Sequence, residues 1–407
     1  MGHGRRGIAE VVKQQMMRIA AYSNLGDIAT RPTLDLAQRL SALAPMADAK
    51  VFFTSGGSDA VDTAVKLVRR YWASVGQPKR TTIMTRTRSY HGMHLAGTSL
   101  AGIPANQADH GPLDPNVVNV DWDDADALAM ANDELGSDRV AAFFCEPVIG
   151  AGGVYPAPRG YLEAVRRICR ERGVLFVADE VISGYGRTGA MFASHALEPD
   201  LVLTAKGLTS GYLPMGAVLV AGSVAEPFWT TPGLMWRHGY TYSGHASAAA
   251  AAMANLDIIE GEGLVARVAD SQVTLGAALA PLRDHEWVVD VRSGMGLLGA
   301  VQISADVLAS DATVMPRLIG SLRDRGILTR GLADGSVQVS PPFVVTRDEL
   351  RRIAAALDES LRGLGSSVRR RPAEEPRLLP DVTNDEAGGF GSSDARLLAD
   401  VPPHHGA

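Results

Sequence analysis

Two residues that could share one chemical site each follow a short apolar segment. Asp179 ends the apolar run 174–179, and Lys206 lies two positions beyond the end of the run 201–204. Short apolar runs of this kind are typical of buried parallel strands. Because ligands bind at the carboxyl ends of the strands in open α/β sheets, we expect the carboxylate and the amine to face one pocket.

A carboxylate and an amine that face one ligand are what pyridoxal 5′-phosphate (PLP) chemistry requires. Lys206 would form a Schiff base with the cofactor aldehyde, and loss of hydration would make it a usable nucleophile and base. Asp179 would keep the pyridine nitrogen protonated, so that the ring withdraws electrons from a substrate carbanion. Val181, on the same side of an extended backbone, could press on the ring face.

Each of the two reactive residues also has a purely structural interpretation. Asp179 could be a solvated acid at the end of a strand, and Lys206 could be a surface lysine. The segment 207–212, which is rich in small residues, leaves room for a bound ligand beside the lysine and therefore favours the binding site.

A turn of small residues between a predicted strand and a predicted helix could hold a phosphate. Residues 55–60 read Ser-Gly-Gly-Ser-Asp-Ala. Backbone N–H groups at the start of a helix are unsatisfied and attract an anion. Gly57 would let the backbone approach the phosphate, and the Ser58 hydroxyl could donate a hydrogen bond. The alternative is a plain helix cap with Ser58 as the N-cap residue.

The Tyr-His-Gly segment that begins at Tyr90 could supply an aromatic neighbour for the ring, because conjugated rings pack well on aromatic side chains. His91 and His94 are three residues apart, which is a spacing that metal sites use. No third ligand lies near them in the sequence, so we expect no metal site.

Composition and charge narrow the class of protein. The net charge is -6, from 45 acidic and 39 basic residues, which argues against nucleic acid as the main partner. Cys145 and Cys169 form no C-x-x-C pair, and we expect both to be buried, reduced thiols. The first residues lack the apolar stretch of a signal peptide, and no apolar run is long enough to cross a bilayer. We therefore expect a cytoplasmic protein without a membrane partner.

From residue 51 onward, strands and helices alternate, which predicts an α/β fold with a mostly parallel sheet and helices on both faces. The predicted strands of this large sheet are 50–53, 81–84, 117–120, 140–145, 174–178, 201–204 and 217–220. The predicted helices between them include 59–72, 124–135 and 159–172.

The rest of the chain predicts further domains. An N-terminal helical segment occupies 1–44, the large domain 45–255, and a smaller α+β C-terminal domain 256–365. An Ala-rich helix over 244–260 would carry the chain out of the large domain. The smaller domain would contain helices at 264–282, 312–325 and 347–361 and strands at 287–291, 297–303 and 337–340. The polar tail 366–407 cannot bury much surface and is expected to be disordered.

Six ordered segments together resemble the class-III aminotransferases, which belong to the fold-type-I group of PLP enzymes. The resemblance extends from Gly2 to about Leu364, and no single segment would carry it alone. The matching segments are 55–60, 90–92, 146–154, 178–189, 204–207 and 238–245. The resemblance implies a fold-type-I PLP-dependent transferase and an aminotransferase activity.

The resemblance also implies roles for residues at the cofactor ring. Lys206 is similar to the Schiff-base lysine of the family, and Asp179 is similar to the partner of the pyridine nitrogen. Val181 and Tyr90 match the two residues at the ring faces.

Other family positions would lie around the rest of the cofactor. Gly57 and Ser58 resemble the phosphate-binding turn, His91 lies in the matching Tyr-His-Gly segment, and Glu146 matches an acid close to the cofactor. Thr241 is similar to a threonine that reaches the phosphate of the neighbouring subunit. The family pattern therefore implies a homodimer with active sites shared between subunits.

Within the family, the sequence is most similar to the amine:pyruvate and β-alanine:pyruvate enzymes. GABA and ornithine aminotransferases carry a second pocket acid where this chain has Ala151, and an arginine where it has Gln338. In the omega-transaminase branch, an arginine at the position of Arg330 clamps the keto-acid carboxylate and swings away for an apolar amine. Tyr90 would also contact the substrate. Arg330 could equally be a loop-surface arginine.

These features predict a transaminase that moves an amino group from an amine or ω-amino acid to a keto acid such as pyruvate, with ping-pong kinetics. The alternatives are an aminomutase or a decarboxylase on the same fold. The N-terminal segment is shorter than in most family members, and Asp59 stands where the family usually has glutamate. A weakened or non-catalytic dimeric relative is therefore a third interpretation.

Overall fold

Buried apolar strands form a seven-stranded sheet in the computed structural model, which describes residues 1–368. Residues Met1–Arg362 make up one compact unit. The strands of the described chain are Lys50–Thr54 (β1), Thr82–Arg86 (β2), Val117–Val120 (β3), Val140–Cys145 (β4), Val148–Ile149 (β5), Tyr155–Pro156 (β6), Leu175–Asp179 (β7), Leu201–Thr204 (β8), Gly216–Val220 (β9), Val288–Arg292 (β10), Gly299–Ile303 (β11) and Ser336–Val339 (β12).

Helices precede, connect and follow these strands. The α-helices are Arg6–Arg18 (α1), Arg31–Leu43 (α2), Gly57–Ser74 (α3), Leu95–Leu100 (α4), Ala125–Leu135 (α5), Tyr161–Arg172 (α6), Gly222–Thr230 (α7), Ala246–Gly261 (α8), Leu264–Leu279 (α9), Ala305–Ser310 (α10), Val314–Asp324 (α11) and Arg347–Val368 (α12). Short 3-10 helices lie at Pro104–Asn106, His195–Leu197, Lys206–Leu208 and Ala280–Asp284.

The strand order of the large sheet is β1-β9-β8-β7-β4-β2-β3. Strand β9 runs antiparallel to both of its neighbours, β1 and β8, and the other neighbouring strands of this sheet pair in parallel. Every residue of β2, β4, β7, β8 and β9 is buried. Because alternate residues of a strand point to opposite faces, this burial means that both faces of the sheet are covered. The predicted mostly parallel sheet with covered faces is confirmed.

The core of the sheet is built on α3. Its residues Val61 and Val65 pack in one buried apolar cluster with Leu203 of β8 and Val218 of β9. The spacing of the buried residues of α3 follows the helical period, which turns one face of this helix toward the strands. The packing fixes the start of α3 next to the ends of the central strands.

Strand β2 extends two residues beyond the predicted strand because polar residues can be buried when they are paired. Thr85 and Arg86 are both buried at its end. The Thr85 hydroxyl is hydrogen bonded to His91, and the Arg86 guanidinium donates to the Glu146 carbonyl. A prediction based on runs of apolar residues alone could not include Thr85 and Arg86 in the strand.

A second, antiparallel sheet has the order β10-β11-β12, and a short ribbon pairs β5 with β6. The strands β10, β11 and β12 lie between helices α9 and α12 in the predicted α+β region, although the boundaries of the predicted domains stay a prediction. The N-terminal helical segment is divided into α1 and α2. The predicted disordered tail 366–407 lies outside the described residues except for the last three residues of α12. Over the described chain, none of the helices has the length and apolar character that a bilayer crossing requires.

Candidate active site

The topology brings Asp179 and Lys206 to the same end of neighbouring strands. Asp179 is the last residue of β7, which runs parallel to β8 and pairs Asp179 with Leu203. Lys206 follows the end of β8 and opens the 3-10 helix. Its φ of +25° lies outside the regions that L-residues usually adopt, and such strain is concentrated at functional sites.

A cavity of about 240 Å³ lies at these strand ends. Its lining contains eight of the ten residues predicted for the site, together with three that the sequence did not single out. The lining residues are Gly57, Ser58, Val61, Tyr90, His91, Gly92, Glu146, Asp179, Val181, Ile182 and Lys206. The additional residues are Val61, Gly92 and Ile182. All three lie within or beside segments 55–60, 90–92 and 178–189, so their position next to these segments could have indicated that they line the site.

Asp179 is held by two hydrogen bonds beneath the cavity. His91 Nδ1 lies 2.7 Å from Asp179 Oδ2, and the backbone N–H of Val181 donates to Oδ1 at 3.0 Å. His91 Nε2 is 3.1 Å from the hydroxyl of Thr85. Asp179 is 5% exposed, so its carboxylate is fixed and poorly hydrated. The interpretation of Asp179 as a solvated strand-end acid is therefore wrong.

Glu146 is a second buried carboxylic acid of the cavity. Its two oxygens accept hydrogen bonds from the backbone N–H groups of Tyr90 and Gly150, both at 2.9 Å. Burial raises the pKa of Glu146, and the nearby charge of Asp179 acts in the same direction. Glu146 thereby joins the loop that contains Tyr90 to the loop that follows β5.

The start of α3 leaves its first backbone N–H groups without a side-chain cap. Its N-cap residue is Gly56, and no side chain caps the helix, so the prediction of Ser58 as a possible N-cap residue is wrong. The Ser58 hydroxyl instead accepts a hydrogen bond from the backbone N–H of Met93 at 3.2 Å. The first N–H groups of α3 are then free to bind an anion.

Two glycines keep space open at this turn. A Cβ atom added at Gly57 would lie 3.1 Å from Val181 Cγ1. A Cβ atom at Gly92 would lie 2.5 Å from Ser58 Oγ, and the φ of Gly92 is +91°. A larger residue at Gly92 would therefore displace Ser58.

Lys206 reaches solvent through the open cavity but is surrounded by protein atoms. This burial lowers the pKa of the Lys206 ammonium, while the negative charges of Asp179 and Glu146 raise it and the positive charge of Arg330 lowers it. A lysine with a lowered pKa is more often present as the free amine, which is the form that acts as a nucleophile and a base.

Two predicted site residues lie outside the cavity. Thr241 is exposed and does not line the cavity of its own chain. Arg330 is also exposed and lines a different cavity, of about 530 Å³, next to β12. Arg330 Nε donates to Gln338 Oε1 at 2.8 Å.

Arg187, in the matching segment 178–189, connects its own loop to two later segments of the chain. Its Nη1 donates to the carbonyls of Leu297 at 3.1 Å and Pro341 at 2.6 Å. Burial lowers the pKa of Arg187 to about 10. Cys145 and Cys169 are buried free thiols, as expected. Within residues 1–368, no group of three or more His, Cys, Asp or Glu side chains is arranged to hold a metal ion.

The residues of the cavity fit PLP. They offer an amine with a lowered pKa, a buried carboxylate, an uncapped helix start for a phosphate, and a space that a Cβ atom at Gly57 would narrow. The fold and this set of groups define a fold-type-I PLP-dependent transferase.

The chain belongs to the class-III aminotransferases, since the profile of that family matches residues 1–361. A diaminobutyrate–2-oxoglutarate transaminase of Halomonas elongata is 33% identical over 405 residues, covering 92% of this chain and 86% of that protein. An omega-amino acid–pyruvate aminotransferase of Pseudomonas putida is 36% identical over 388 residues, covering 89% and 85%.

A similar solved structure is that of an amine transaminase from an uncultivated Pseudomonas species in its PLP-bound form. Its TM-score is 0.84 at 35% identity, and the match covers 89% of this chain and 88% of that chain. The predicted family, enzyme class and cofactor are therefore confirmed. The roles of individual site residues stay predictions.

Proposed function

We propose that this class-III aminotransferase moves an amino group from an amine or ω-amino acid to pyruvate or a related keto acid. The observation that carries the proposal is the shared cavity of Lys206 and Asp179. The charge of Arg330 also contributes to the lowered pKa of the lysine. The names of the Pseudomonas putida relative and of the amine transaminase structure support this choice of substrates.

Lys206 is the proposed base and acid. PLP, when bound, supplies an aldehyde that condenses with amines and a ring that stabilises a carbanion. Lys206 Nζ would hold the cofactor and, once displaced by the donor amine, take a proton from the donor carbon and return it during transfer. Its lowered pKa leaves more of the amine unprotonated and therefore able to accept a proton.

Asp179 would hold the proton on the pyridine nitrogen of the cofactor. Its charge is fixed by His91 and by the backbone of Val181, so little reorganisation is needed when positive charge is stabilised. Gly57 and Ser58, with the free N–H groups of α3, would bind the phosphate. Val181 and Tyr90 would contact the ring faces.

A homodimer would complete this site. Thr241 is exposed and outside the cavity of its own chain, which is the arrangement expected if it binds the phosphate held by a second copy. The proposal is tested by mixing Lys206→Ala chains with Thr241→Ala chains. Shared sites predict that each mixed dimer regains one intact site with wild-type PLP affinity, whereas a Thr241 that acts within its own chain predicts none.

Arg330 is the proposed clamp for the keto-acid carboxylate, and Tyr90 would contact the substrate. A guanidinium suits a carboxylate because it can donate two parallel hydrogen bonds. Gln338 leaves the neighbouring strand position uncharged, so a single carboxylate is the better fit. This favours pyruvate over 2-oxoglutarate, the acceptor that the Halomonas relative is named for.

The function is tested by initial-rate kinetics with a panel of amines and ω-amino acids against pyruvate and 2-oxoglutarate. Parallel double-reciprocal lines, stoichiometric alanine and no carbon dioxide are expected. Intersecting lines, or carbon dioxide release, would favour another PLP reaction. Borohydride reduction followed by peptide mass analysis should place the cofactor on Lys206, and a label elsewhere would contradict its role. A cytoplasmic location stays a prediction.

A further inference from the structure

The segment that contains Arg330 lies against β12, and Gln338 takes part in three of the hydrogen bonds between them. The Arg330 guanidinium donates from Nε to Gln338 Oε1 at 2.8 Å. The backbone N–H of Gln338 donates to the Arg330 carbonyl at 3.1 Å, and the Thr329 hydroxyl donates to the Gln338 carbonyl at 2.5 Å. The backbone contacts fix the segment, while the side-chain contact fixes the direction of the guanidinium.

The guanidinium of Arg330 is hydrogen bonded to a residue that lies outside the lining of the cofactor cavity. Arg330 and Gln338 line the cavity next to β12, and neither lines the cavity of Lys206. The positive charge of Arg330 nevertheless contributes to the lowered pKa of Lys206. In its proposed role as the clamp, the guanidinium would therefore have to leave Gln338 to reach a carboxylate above Lys206.

The contact with Gln338 leaves the guanidinium able to change partners. It uses only Nε, and the described residues show no other hydrogen bond of the Arg330 side chain. The two Nη groups stay free to engage a carboxylate. A neutral carboxamide holds a guanidinium less strongly than a carboxylate does, because a bond between two ionised groups is stronger. A substrate carboxylate can thus compete with Gln338.

We propose that Gln338 is a specificity-determining residue. It holds Arg330 outside the cofactor cavity while an uncharged amine is bound, and it releases Arg330 when a keto-acid carboxylate binds. This inference rests on the proposed role of Arg330 as the carboxylate clamp. The hydrogen bond to Gln338 sets the fraction of molecules in which Arg330 lies outside the cofactor cavity. The uncharged amine favours this outward position of Arg330, and the keto acid favours the position inside the cavity. Weakening the contact must then help one substrate and hinder the other.

The decisive variant is Gln338→Met, which keeps the length of the side chain and removes the acceptor. With pyruvate as acceptor and 1-phenylethylamine as donor, we expect KM for pyruvate to fall and KM for the amine to rise, each by about threefold to tenfold. Gln338→Glu should shift both constants in the opposite direction, because a carboxylate holds the guanidinium more strongly.

Thr329→Val is the matched control, since it removes a bond between the same two segments and leaves the Gln338 side chain intact. Its ratio of the two KM values should equal that of the wild type. If Gln338→Met and Gln338→Glu shift this ratio in the same direction, or leave it unchanged, the inference is wrong.

Arg330→Met separates the inference from the function on which it rests. We expect it to raise KM for pyruvate by about tenfold or more and to abolish the effect of Gln338→Met in the double variant. If Arg330→Met leaves KM for pyruvate unchanged, the clamp itself is wrong. If it raises that constant while the Gln338 variants do nothing, the clamp stands and only the role of Gln338 fails.

Discussion

His91 Nδ1 lies 2.7 Å from Asp179 Oδ2, and both buried side chains line the cavity that Lys206 also lines. An ionised carboxylate only accepts hydrogen bonds, so His91 donates from Nδ1. The imidazole therefore directs the carboxylate. It also supplies a partner that water would otherwise provide, which makes the buried charge tolerable.

This relationship predicts different effects for the two residues. Asp179→Asn keeps the shape and removes the charge, and we expect kcat/KM to fall by about 100-fold or more. His91→Leu removes a charge-assisted hydrogen bond, and we expect a loss of about tenfold to 100-fold. Steady-state kinetics with saturating PLP measure both. An Asp179→Asn variant within about threefold of the wild type would contradict the proposed role of the charge.

The second prediction concerns the contact of Gly92 with Ser58. Gly92→Ala would place its Cβ 2.5 Å from Ser58 Oγ and displace the start of α3. We expect PLP affinity to fall by about tenfold or more, because the anion-binding turn would be distorted. Equilibrium titration of the apoprotein with PLP measures the effect.

Gly76→Ala is the matched control for this variant. Gly76 has a φ of +81°, similar to that of Gly92, but a Cβ atom there would meet nothing within 4 Å. Both substitutions therefore place an alanine in an unfavourable backbone conformation, and only Gly92→Ala adds the close contact with Ser58. Equal PLP affinities of the two variants would show that backbone strain alone is responsible.

The centre of the sheet was predictable because β4, β7, β8 and β9 are buried on both faces and are therefore mainly apolar. Buried parallel strands also explain why Asp179 and Lys206 could be placed together, since each follows the end of a neighbouring strand. Local pattern did not determine contacts between distant segments. The contact of Ser58 with Met93 and the contact of Arg330 with Gln338 depend on loops that only the folded chain brings together.

The third prediction concerns Arg187, which connects two segments of the chain through the carbonyls of Leu297 and Pro341. Arg187→Met would leave both carbonyls without this donor. Since an unsatisfied buried polar group costs about 1–3 kcal/mol, we expect the free energy of unfolding to fall by about 2–4 kcal/mol. Urea denaturation of the holoprotein measures the change. Arg159→Met, at an exposed position, should leave the unfolding midpoint unchanged.

The last prediction concerns the protonation of His238. Lys66 Nζ lies 2.9 Å from His238 Nδ1, and His238 Nε2 lies 2.9 Å from the Thr63 hydroxyl. Lysine only donates, so Nδ1 accepts and the ring proton is on Nε2. Burial, and to a lesser extent the charge of Lys66, lower the pKa of His238 to about 4 from an ordinary value of 6.5.

Between pH 6.5 and about 4, the unfolded chain binds a proton at His238 that the folded chain does not bind. Stability should therefore be complete above this window and decrease as the pH falls through it. Thermal unfolding midpoints measured across the window should decline less steeply for His238→Gln than for the wild type. His110→Gln, at an exposed histidine, should keep the wild-type slope. An unchanged slope for His238→Gln would show that His238 is already charged in the folded protein, and the contact with Lys66 would then have to be broken.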